Sequence, residues 1–261
     1  MYAALNGYRW DDFRPYLYVS EDYDKTWEAL GKDLPLEPIN VIKEDPRNAR
    51  ILYVGTDHGV YLSLDRGRTF MRMAKNLPSV AVHDLVVHPR DNELIVGTHG
   101  RSLYIASLEH VQQLTDSIIQ KPLHAFLLRN ITYHPNWGRK SNNWAKPMEP
   151  TLTIPYYLKS AGPVTVRVKT QNGLLVKEFT DTGEPGLNYA PYDLSIANVD
   201  QEKYLSYLNE NRKKDNPEIK FTPTDTQKQY LRPGRYLIEL EVNGIRQTRD
   251  FLVQGLENQT R

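Results

Sequence analysis

The sequence SEDYDKTW at residues 20–27 returns as SLDRGRTF at residues 63–70, so that equivalent positions are 43 residues apart. The dipeptide Leu-Pro at 34–35 returns at 77–78 with the same spacing. Repeats of about 40–50 residues are typical of β-propellers, in which each repeat supplies one four-stranded blade. The sequence therefore predicts an all-β fold that begins with propeller blades.

One complete blade can be read between the two copies. We predict its strands A, B, C and D at 40–44, 51–56, 59–63 and 69–72. Residues 2–30 then supply strands B, C and D of an earlier blade, and residues 82–106 supply strands A, B and C of a later one. Because closed propellers have about four to eight blades, we expect the other blades to come from the same full-length chain or from a cleaved partner.

The repeated motif reads Ser-x-Asp-x-Gly-x-Thr-Trp/Phe, and it has a structural explanation. In a C–D turn, its carboxylate accepts hydrogen bonds from backbone N–H groups, its hydroxyls assist, and its aromatic ring packs beneath. The glycine suits a positive φ, and the first copy carries Asp24 at that position. The residues concerned are Ser20, Asp22, Thr26 and Trp27 in the first copy, and Ser63, Asp65, Gly67, Thr69 and Phe70 in the second.

This motif is the Asp box, and the segments around it carry a wider resemblance. INVIKEDPRN (39–48), ILYVGTDHGVYLSLDRGRTF (51–70) and VHDLVVHPRDNELIVGTHGRSLYI (82–105) resemble bacterial sortilin-type propellers. The resemblance covers about residues 1–115 and implies an extracellular or periplasmic protein, with a signal peptide expected on a preceding part of the chain. Sialidases and xyloglucanases carry the same box, so the box alone does not indicate an activity.

The remaining sequence predicts a second domain. Leu108, Val111, Leu114 and Ile118 are spaced as in a short amphipathic helix, which we expect to cap the last blade and to end a first domain at residue 118. Residues 119–150 lack periodicity and are predicted to be a linker loop. Residues 151–256 are predicted to form a β-sandwich with a helical insertion at 197–230, its helix at 200–214 capped by Asp200.

The strands predicted for this domain alternate apolar and polar residues, with hairpin turns at Asn172-Gly173 and Asn243-Gly244. Together with the first of these turns, GLN at 186–188, YDL at 192–194 and PGRY at 233–236 resemble the immunoglobulin-like domain of flagellar hook-capping proteins, although Tyr192 stands where that pattern has Trp. The resemblance implies an immunoglobulin-like sandwich with a structural role.

Composition excludes several classes of function. The chain of 261 residues has 33 basic and 32 acidic residues, and this balance argues against a nucleic-acid-binding surface. It has no cysteine, which excludes disulfides and thiol chemistry. No apolar run is long enough to span a membrane. Motifs for nucleotides, metals or nucleophiles are not present, and we expect no cofactor and no metal.

The candidate site follows from propeller topology, because the B–C turns of successive blades meet at one end of the fold. These turns are predicted to hold Arg9, Trp10, Asp11, Asp12 and Arg14 in the first blade, Asp57 and His58 in the second, and His99 and Arg101 in the third. Aromatic, cationic and carboxylate side chains in one place are typical of carbohydrate or peptide sites. The alternative is that they are solvated turn residues.

Two functions therefore stay open. In the first, the chain is a non-catalytic module in which Trp10 stacks on a ligand and Arg14 or Arg101 binds an anionic group. In the second, it is part of a glycoside hydrolase in which Asp11 and Asp12 supply the acid and base, since such enzymes use two carboxyl groups. Two weaker alternatives are a metal pair of His58 and His99 and a sugar platform made of Trp137 and Trp144.

Overall fold

The computed structural model describes residues 1–212 and 216–255. The chain divides into two compact units, and the division lies between Leu114 and Thr115. The unit that begins at Met1 is called unit 1, and the unit that begins at Thr115 is called unit 2.

Unit 1 contains three antiparallel sheets built from consecutive strands, in the orders β1-β2-β3, β4-β5-β6-β7 and β8-β9-β10. The strands are β1 (Tyr2–Gly7), β2 (Asp12–Val19), β3 (Glu28–Ala29), β4 (Ile39–Glu44), β5 (Leu52–Thr56), β6 (Gly59–Ser63), β7 (Met71–Met73), β8 (Val82–His88), β9 (Glu93–Thr98) and β10 (Leu103–Ser107). The middle sheet is the complete blade that the sequence predicts. The first sheet has the predicted strands B, C and D, and the third has A, B and C.

The two repeated motifs lie in equivalent turns, between β2 and β3 and between β6 and β7. In the first, Asp22 accepts hydrogen bonds from the Thr26 N–H at 2.9 Å and the Thr26 hydroxyl at 2.7 Å. In the second, Asp65 accepts the same two bonds from Thr69 at 2.9 and 2.6 Å. The two motifs therefore make the same hydrogen bonds within their turns.

The backbone of these turns has the predicted conformation, but the packing of the two aromatic rings agrees only in part. Gly67 and Asp24 have positive φ values of 84° and 67°, as expected, and Asp24 and Gly67 each donate an N–H to the serine hydroxyl of their motif. Phe70 packs against the core of unit 1. The prediction for Trp27 is wrong, because this ring is 42% exposed. The short strand that follows it, β3, has only two residues and both are exposed, so it offers little to cover the ring.

The motifs also have lowered carboxyl pKa values. Hydrogen bonds from the Thr26 side chain and backbone lower the pKa of Asp22. Burial by itself would raise the pKa of Asp65, but hydrogen bonds from Thr69 and Ser63 outweigh it and the pKa is lowered. The folded turns therefore favour the ionised carboxylates.

A buried carboxylate joins the middle sheet to the end of unit 1. Asp45 accepts hydrogen bonds from the N–H groups of Arg47 and Asn48 at 2.8 and 3.0 Å. Its other oxygen accepts from the Tyr53 hydroxyl at 2.9 Å and from Gln112 Nε2 at 2.8 Å. Gln112 lies in the segment that follows the last strand of unit 1, so Asp45 fixes that segment onto the complete blade.

That segment differs from the predicted helix. Leu108, Val111 and Leu114 are buried on one face as expected, but they lie in consecutive turns, and the α-helix α1 (Asp116–Ile119) begins only afterwards. The physical reason is the spacing, because an interval of three residues suits turns with i→i−3 hydrogen bonds. Leu114 N–H donates such a bond to Val111.

Unit 2 is a β-sandwich of two sheets, ordered β11-β13-β16 and β12-β18-β17-β14-β15. Its elements are β11 (Leu123–Ala125), β12 (Ile131–Thr132), β13 (Leu152–Leu158), β14 (Gly162–Thr170), β15 (Leu175–Gly183), β16 (Gly186–Tyr192), a 3₁₀ turn (Asn198–Asp200), α2 (Gln201–Glu210), β17 (Gly234–Val242) and β18 (Ile245–Gln254). One apolar cluster formed by both sheets and α2 makes the core.

The predicted facing of the sandwich strands is confirmed. On β14, Val164, Val166 and Val168 are fully buried, whereas the alternate residues are partly exposed. The hairpin from β17 to β18 turns at Asn243 and Gly244, whose φ values of 49° and 81° are those of the tight turn that the Asn-Gly pair favours.

Segment 119–150 is not a free linker loop but part of unit 2. It supplies β11, which pairs with β13, and β12, which pairs with β18 in parallel. Trp137 from the same segment is 7% exposed and packs in the sandwich core. Strands of two or three residues are too short to show a period in sequence, and for that reason the pattern did not indicate them.

The helical insertion also differs in detail from its prediction. Asp200 occupies the N-cap of α2 but its side chain makes no capping hydrogen bond. The preceding residues already form a 3₁₀ turn, so Asp200 has helical backbone angles in place of the extended ones that capping needs. The helix ends at Glu210, and residues 213–214 of the predicted helix lie outside the described residues.

Candidate ligand-binding rim

One end of unit 1 carries the turns that join strands B and C in its three sheets. We call this end the rim. Because the sheets are antiparallel, the β1–β2 and β5–β6 turns lie at the opposite end of their own sheet from the motif turn, and the β9–β10 turn is their equivalent in the third sheet. Of the predicted site residues, these turns hold Arg9, Trp10, Asp11, Asp57, His58, His99 and Arg101, whereas Asp12 and Arg14 lie at the start of β2.

Two β-bulges place further side chains at this end. The pairing of β4 with β5 shifts register at Asn40, and the pairing of β8 with β9 shifts at His83. These residues are 43 positions apart and thus equivalent in the repeat. A bulge leaves its residue unpaired and redirects the side chain. Each bulged side chain contacts the first residue of its own B–C turn: Asn40 contacts Asp57, and His83 contacts His99.

A chain of hydrogen bonds connects the rim of the first sheet to that of the second. Asn6 Nδ2 donates to Asn40 Oδ1 at 2.6 Å, and Asn40 Nδ2 donates to Asp57 Oδ1 at 2.9 Å. The Asn6 oxygen also accepts the Tyr8 N–H at 2.9 Å. Asp57 therefore accepts its hydrogen bond from Asn40 on β4 and not from a residue of its own turn.

His58 is held by a carboxylate from the loop between the first and second sheets. Glu37 Oε2 lies 3.2 Å from His58 Nδ1 and accepts the His58 N–H at 3.1 Å. Glu37 Oε1 accepts from the Tyr61 hydroxyl at 3.5 Å, the long limit for such a bond. The Glu37 side chain is only 13% exposed. Burial, followed by the charge of Glu37, raises the pKa of Tyr61.

The third sheet presents different groups. The rings of His83 and His99 stack with centroids 5.2 Å apart. Arg101 and Tyr104 line an open groove together with residues of the loop from the second sheet, namely Ala74, Asn76, Leu77 and Pro78. The groove is therefore lined by a guanidinium-bearing residue, Arg101, by a hydroxyl-bearing residue, Tyr104, and by the apolar Leu77 and Pro78.

In the first sheet the candidate charges pair with each other. Arg14 donates two hydrogen bonds to the Asp12 carboxylate at 2.9 and 2.6 Å, and the Tyr16 hydroxyl donates a third at 2.6 Å. These bonds, that of Arg14 first, lower the pKa of Asp12. Asp11 has a left-handed backbone with φ 57°, and Trp10 is 79% exposed. Trp10 thus offers a free aromatic face, whereas Asp12 and Arg14 neutralise each other.

The geometry gives little support to the metal pair of His58 and His99 or to the sugar platform of Trp137 and Trp144. Within residues 1–212 and 216–255, no three His, Cys, Asp or Glu side chains are placed to hold a metal ion. His58 pairs with Glu37 and His99 stacks on His83, rather than both facing one point. Trp137 is buried and Trp144 is 96% exposed, so the two rings do not form one platform.

Sequence reasoning missed Asn6, Glu37, Asn40 and His83 because they are not turn residues. A signal was present for the two bulged residues, since both are polar at equivalent positions of the repeat and each follows an apolar residue, Ile39 or Val82. The contact partners could not be read from the sequence, because Glu37 lies in the loop before the second sheet and is 21 residues from His58.

No family model matches the chain, and no curated protein matches it. Among solved structures, the extracellular domain assigned to a one component system from B. thetaiotaomicron aligns with 92% of this chain at 11% identity and a TM-score of 0.28. The extracellular domain assigned to a hybrid two component system from the same organism aligns with 92% at 12% identity and a TM-score of 0.32. The chain spans 29% of the length of each. The fold of the chain is therefore read from its own strand order and pairing.

None of the helices within the described residues is long and apolar enough to cross a membrane.

Proposed function

We propose that the chain is part of a non-catalytic, extracellular or periplasmic module that binds carbohydrate or peptide at the rim of a sortilin-type Asp-box propeller. The observation that carries the proposal is the rim itself. The B–C turns and bulges of three consecutive sheets carry amide, carboxylate, imidazole and guanidinium groups, and the first of these turns also carries the exposed Trp10 ring. Exposed aromatic faces next to convergent polar groups suit sugars and peptides.

The edges of unit 1 support the further proposal that other blades of the same protein, or a cleaved partner, complete the propeller. The edge strand β10 pairs only with β9 within the described part of the chain, and its Leu103 and Ile105 side chains are exposed. Such an apolar edge favours pairing with another strand. The sandwich of unit 2, whose outer face carries paired charges such as Arg167 with Glu178, is proposed to have a structural role.

The test is a glycan and peptide binding screen of the 261-residue chain, followed by three variants. Trp10→Ala should weaken binding of any ligand found by about tenfold, since aromatic contacts are worth about 1 kcal/mol or more. Tyr23→Ala is the first control, because this exposed ring lies in the motif turn at the other end. Trp144→Ala is the second, because it removes an exposed indole of unit 2. Binding that depends on Trp144 and not on Trp10 would contradict the proposal.

The second candidate function, a glycoside hydrolase, rests on Asp11 and Asp12. A general acid needs a raised pKa to remain protonated. The pKa of Asp12 moves in the opposite direction because Arg14 and Tyr16 stabilise its ionised form. Asp12 therefore suits the role of a structural anion better than that of an acid. Glycoside turnover by the full-length protein, lost in Asp11→Asn or Asp12→Asn, would favour the hydrolase.

A further inference from the structure

Unit 1 has two junctions between successive sheets, one between the first and second sheets and one between the second and third. They are equivalent in the repeat, but the internal carboxylate of the first, that of Glu37, has no counterpart at the equivalent position of the second. At the first junction, Glu37 from the preceding loop places its carboxylate against His58 and Tyr61. At the second, Tyr104 stands 43 residues after Tyr61, and Val80 stands 43 residues after Glu37. The hydroxyl is thus retained, and an apolar side chain replaces the carboxylate.

A nitrogen-bearing side chain also stands opposite the hydroxyl at both junctions, and at the second it is a guanidinium. The turn of the second sheet has two residues between Thr56 and Gly59, and the turn of the third has three, His99 to Arg101, between Thr98 and Ser102. Thr56 pairs with Gly59, and the Thr98 N–H bonds the Ser102 carbonyl, so both turns close at the same strand positions. The added residue leaves Arg101 at the end of the turn, in the place where the second sheet has His58.

The groove at the second junction is open, and its polar groups are free. It is lined by Ala74, Asn76, Leu77, Pro78, Arg101 and Tyr104. Within the described part of the chain, neither the Arg101 guanidinium nor the Tyr104 hydroxyl has a hydrogen-bond or ion-pair partner. A guanidinium presents parallel N–H donors that match the two oxygens of a carboxylate.

We propose that this groove binds the carboxylate of an external ligand, with Arg101 and Tyr104 taking the roles that His58 and Tyr61 have toward Glu37. The rest of the ligand lies along Leu77 and Pro78, and either an acidic sugar or a peptide C-terminus supplies this chemistry. The proposal rests on the ligand-binding role proposed for the rim and specifies the chemical class of the ligand.

The experiment follows backbone amide and Arg101 side-chain NMR signals of the 261-residue chain during titration. Glucuronate and N-acetyl-leucine are the acidic probes, and glucose and N-acetyl-leucinamide are their neutral counterparts. We expect shifts around Gly100 and Arg101 with at least one acid and not with its neutral counterpart, and the acid that binds identifies the source. Because the site is exposed, binding should weaken as salt is raised.

Three variants test the residues. Arg101→Gln should weaken binding of the acid by about tenfold or more, as expected for loss of a charged hydrogen-bond donor. Val80→Glu should abolish binding, because it gives the second junction a carboxylate equivalent to Glu37 of the first, and this internal carboxylate would occupy Arg101 in place of the ligand. Val80→Gln is the matched control, since it has nearly the same shape without the charge and should still bind the acid.

The proposal is overturned if neither acid binds, if the neutral probes bind equally well, or if Arg101→Gln binds as the parent chain does. It is also overturned if Val80→Glu and Val80→Gln behave alike while both retain native spectra. Should Val80→Glu not fold, the Arg101→Gln titration decides the question alone. Neutral ligands that bind through Trp10, without any binding of acids, would leave the proposed function standing and remove only this inference.

Discussion

Replacement of Asp45 by Ala is expected to destabilise unit 1 substantially. The carboxylate accepts four hydrogen bonds, from two backbone N–H groups, the Tyr53 hydroxyl and Gln112. The Tyr53 ring is fully buried, and burial, followed by the charge of Asp45, raises its pKa. After the change, water can reach Gln112 and the partly exposed backbone, but not the Tyr53 hydroxyl.

The magnitude follows from these contacts. An unsatisfied buried hydroxyl costs about 1–3 kcal/mol, and loss of hydrogen bonds to a charged acceptor costs about 1.5–3 kcal/mol. Since these terms overlap, we expect Asp45→Ala to lower the free energy of unfolding by about 3–4 kcal/mol. Asp45→Asn keeps one carbonyl oxygen for the turn and should cost about half as much, since it loses only the charge and one acceptor.

The assay is hydrogen exchange of the β5 amides, Leu52–Thr56, which report on opening of the middle sheet alone. A double-mutant cycle with Tyr53→Phe isolates the buried contact. In the Tyr53→Phe background, Asp45→Ala should cost at least about 1 kcal/mol less than in the parent chain, because no hydroxyl is left unsatisfied. An equal cost in both backgrounds, or a total cost below about 1 kcal/mol, would refute the reasoning.

Two further predictions concern the sandwich and the motif turns. Val166→Asp should unfold unit 2, at a cost of several kcal/mol, because it buries an unpaired carboxylate. Thr165→Asp, on the partly exposed face of β14, should cost at most about 1 kcal/mol, from the like charge of Glu241 opposite it. Equal thermal destabilisation by both would contradict the facing of this strand. The pKa values of Asp22 and Asp65 are lowered by folding, so the turns contribute their full stability above the unfolded-state pKa of about 3.9. This stability is lost as pH falls through the lower pKa values of the folded state. The free energy of unfolding of unit 1, measured with urea, should therefore decrease below about pH 4. The double change Asp22→Asn and Asp65→Asn should make this decrease smaller. If the free energy of unfolding falls with pH as steeply as in the parent chain, other carboxylates cause the dependence.

The longer strands of both units were predictable because their patterns are local. On β14, alternating valines identify the buried face, and the Asn-Gly pair at 243–244 fixes its hairpin whatever surrounds it. The motif turns were predictable for the same reason, since Asp65 bonds a threonine only four residues away. The exposed Trp27 shows the limit, because whether a ring is covered depends on what packs over the turn.

Part of the rim was predictable as well. The repeat indicated which turns meet, and thus placed Asp57, His58, His99 and Arg101 at one end of unit 1. It did not indicate that Asp12 and Arg14 would neutralise each other, because the prediction placed both residues in the turn, whereas on β2 residues two apart share one face. It also gave no sign that the unperiodic segment 119–150 would provide two strands of the sandwich.

The amino-acid sequence by itself determined the repeat, the four-strand order of a blade, the chemistry of the motif turns and the buried faces of the sandwich. All of these depend on residues close together in the chain or on a strict period. Only the tertiary structure decided that Glu37 reaches His58 and that Arg101 has no such partner among residues 1–212 and 216–255. Contacts between sheets depend on how neighbouring sheets pack and where a bulge redirects a side chain, and neither leaves a periodic trace in the sequence.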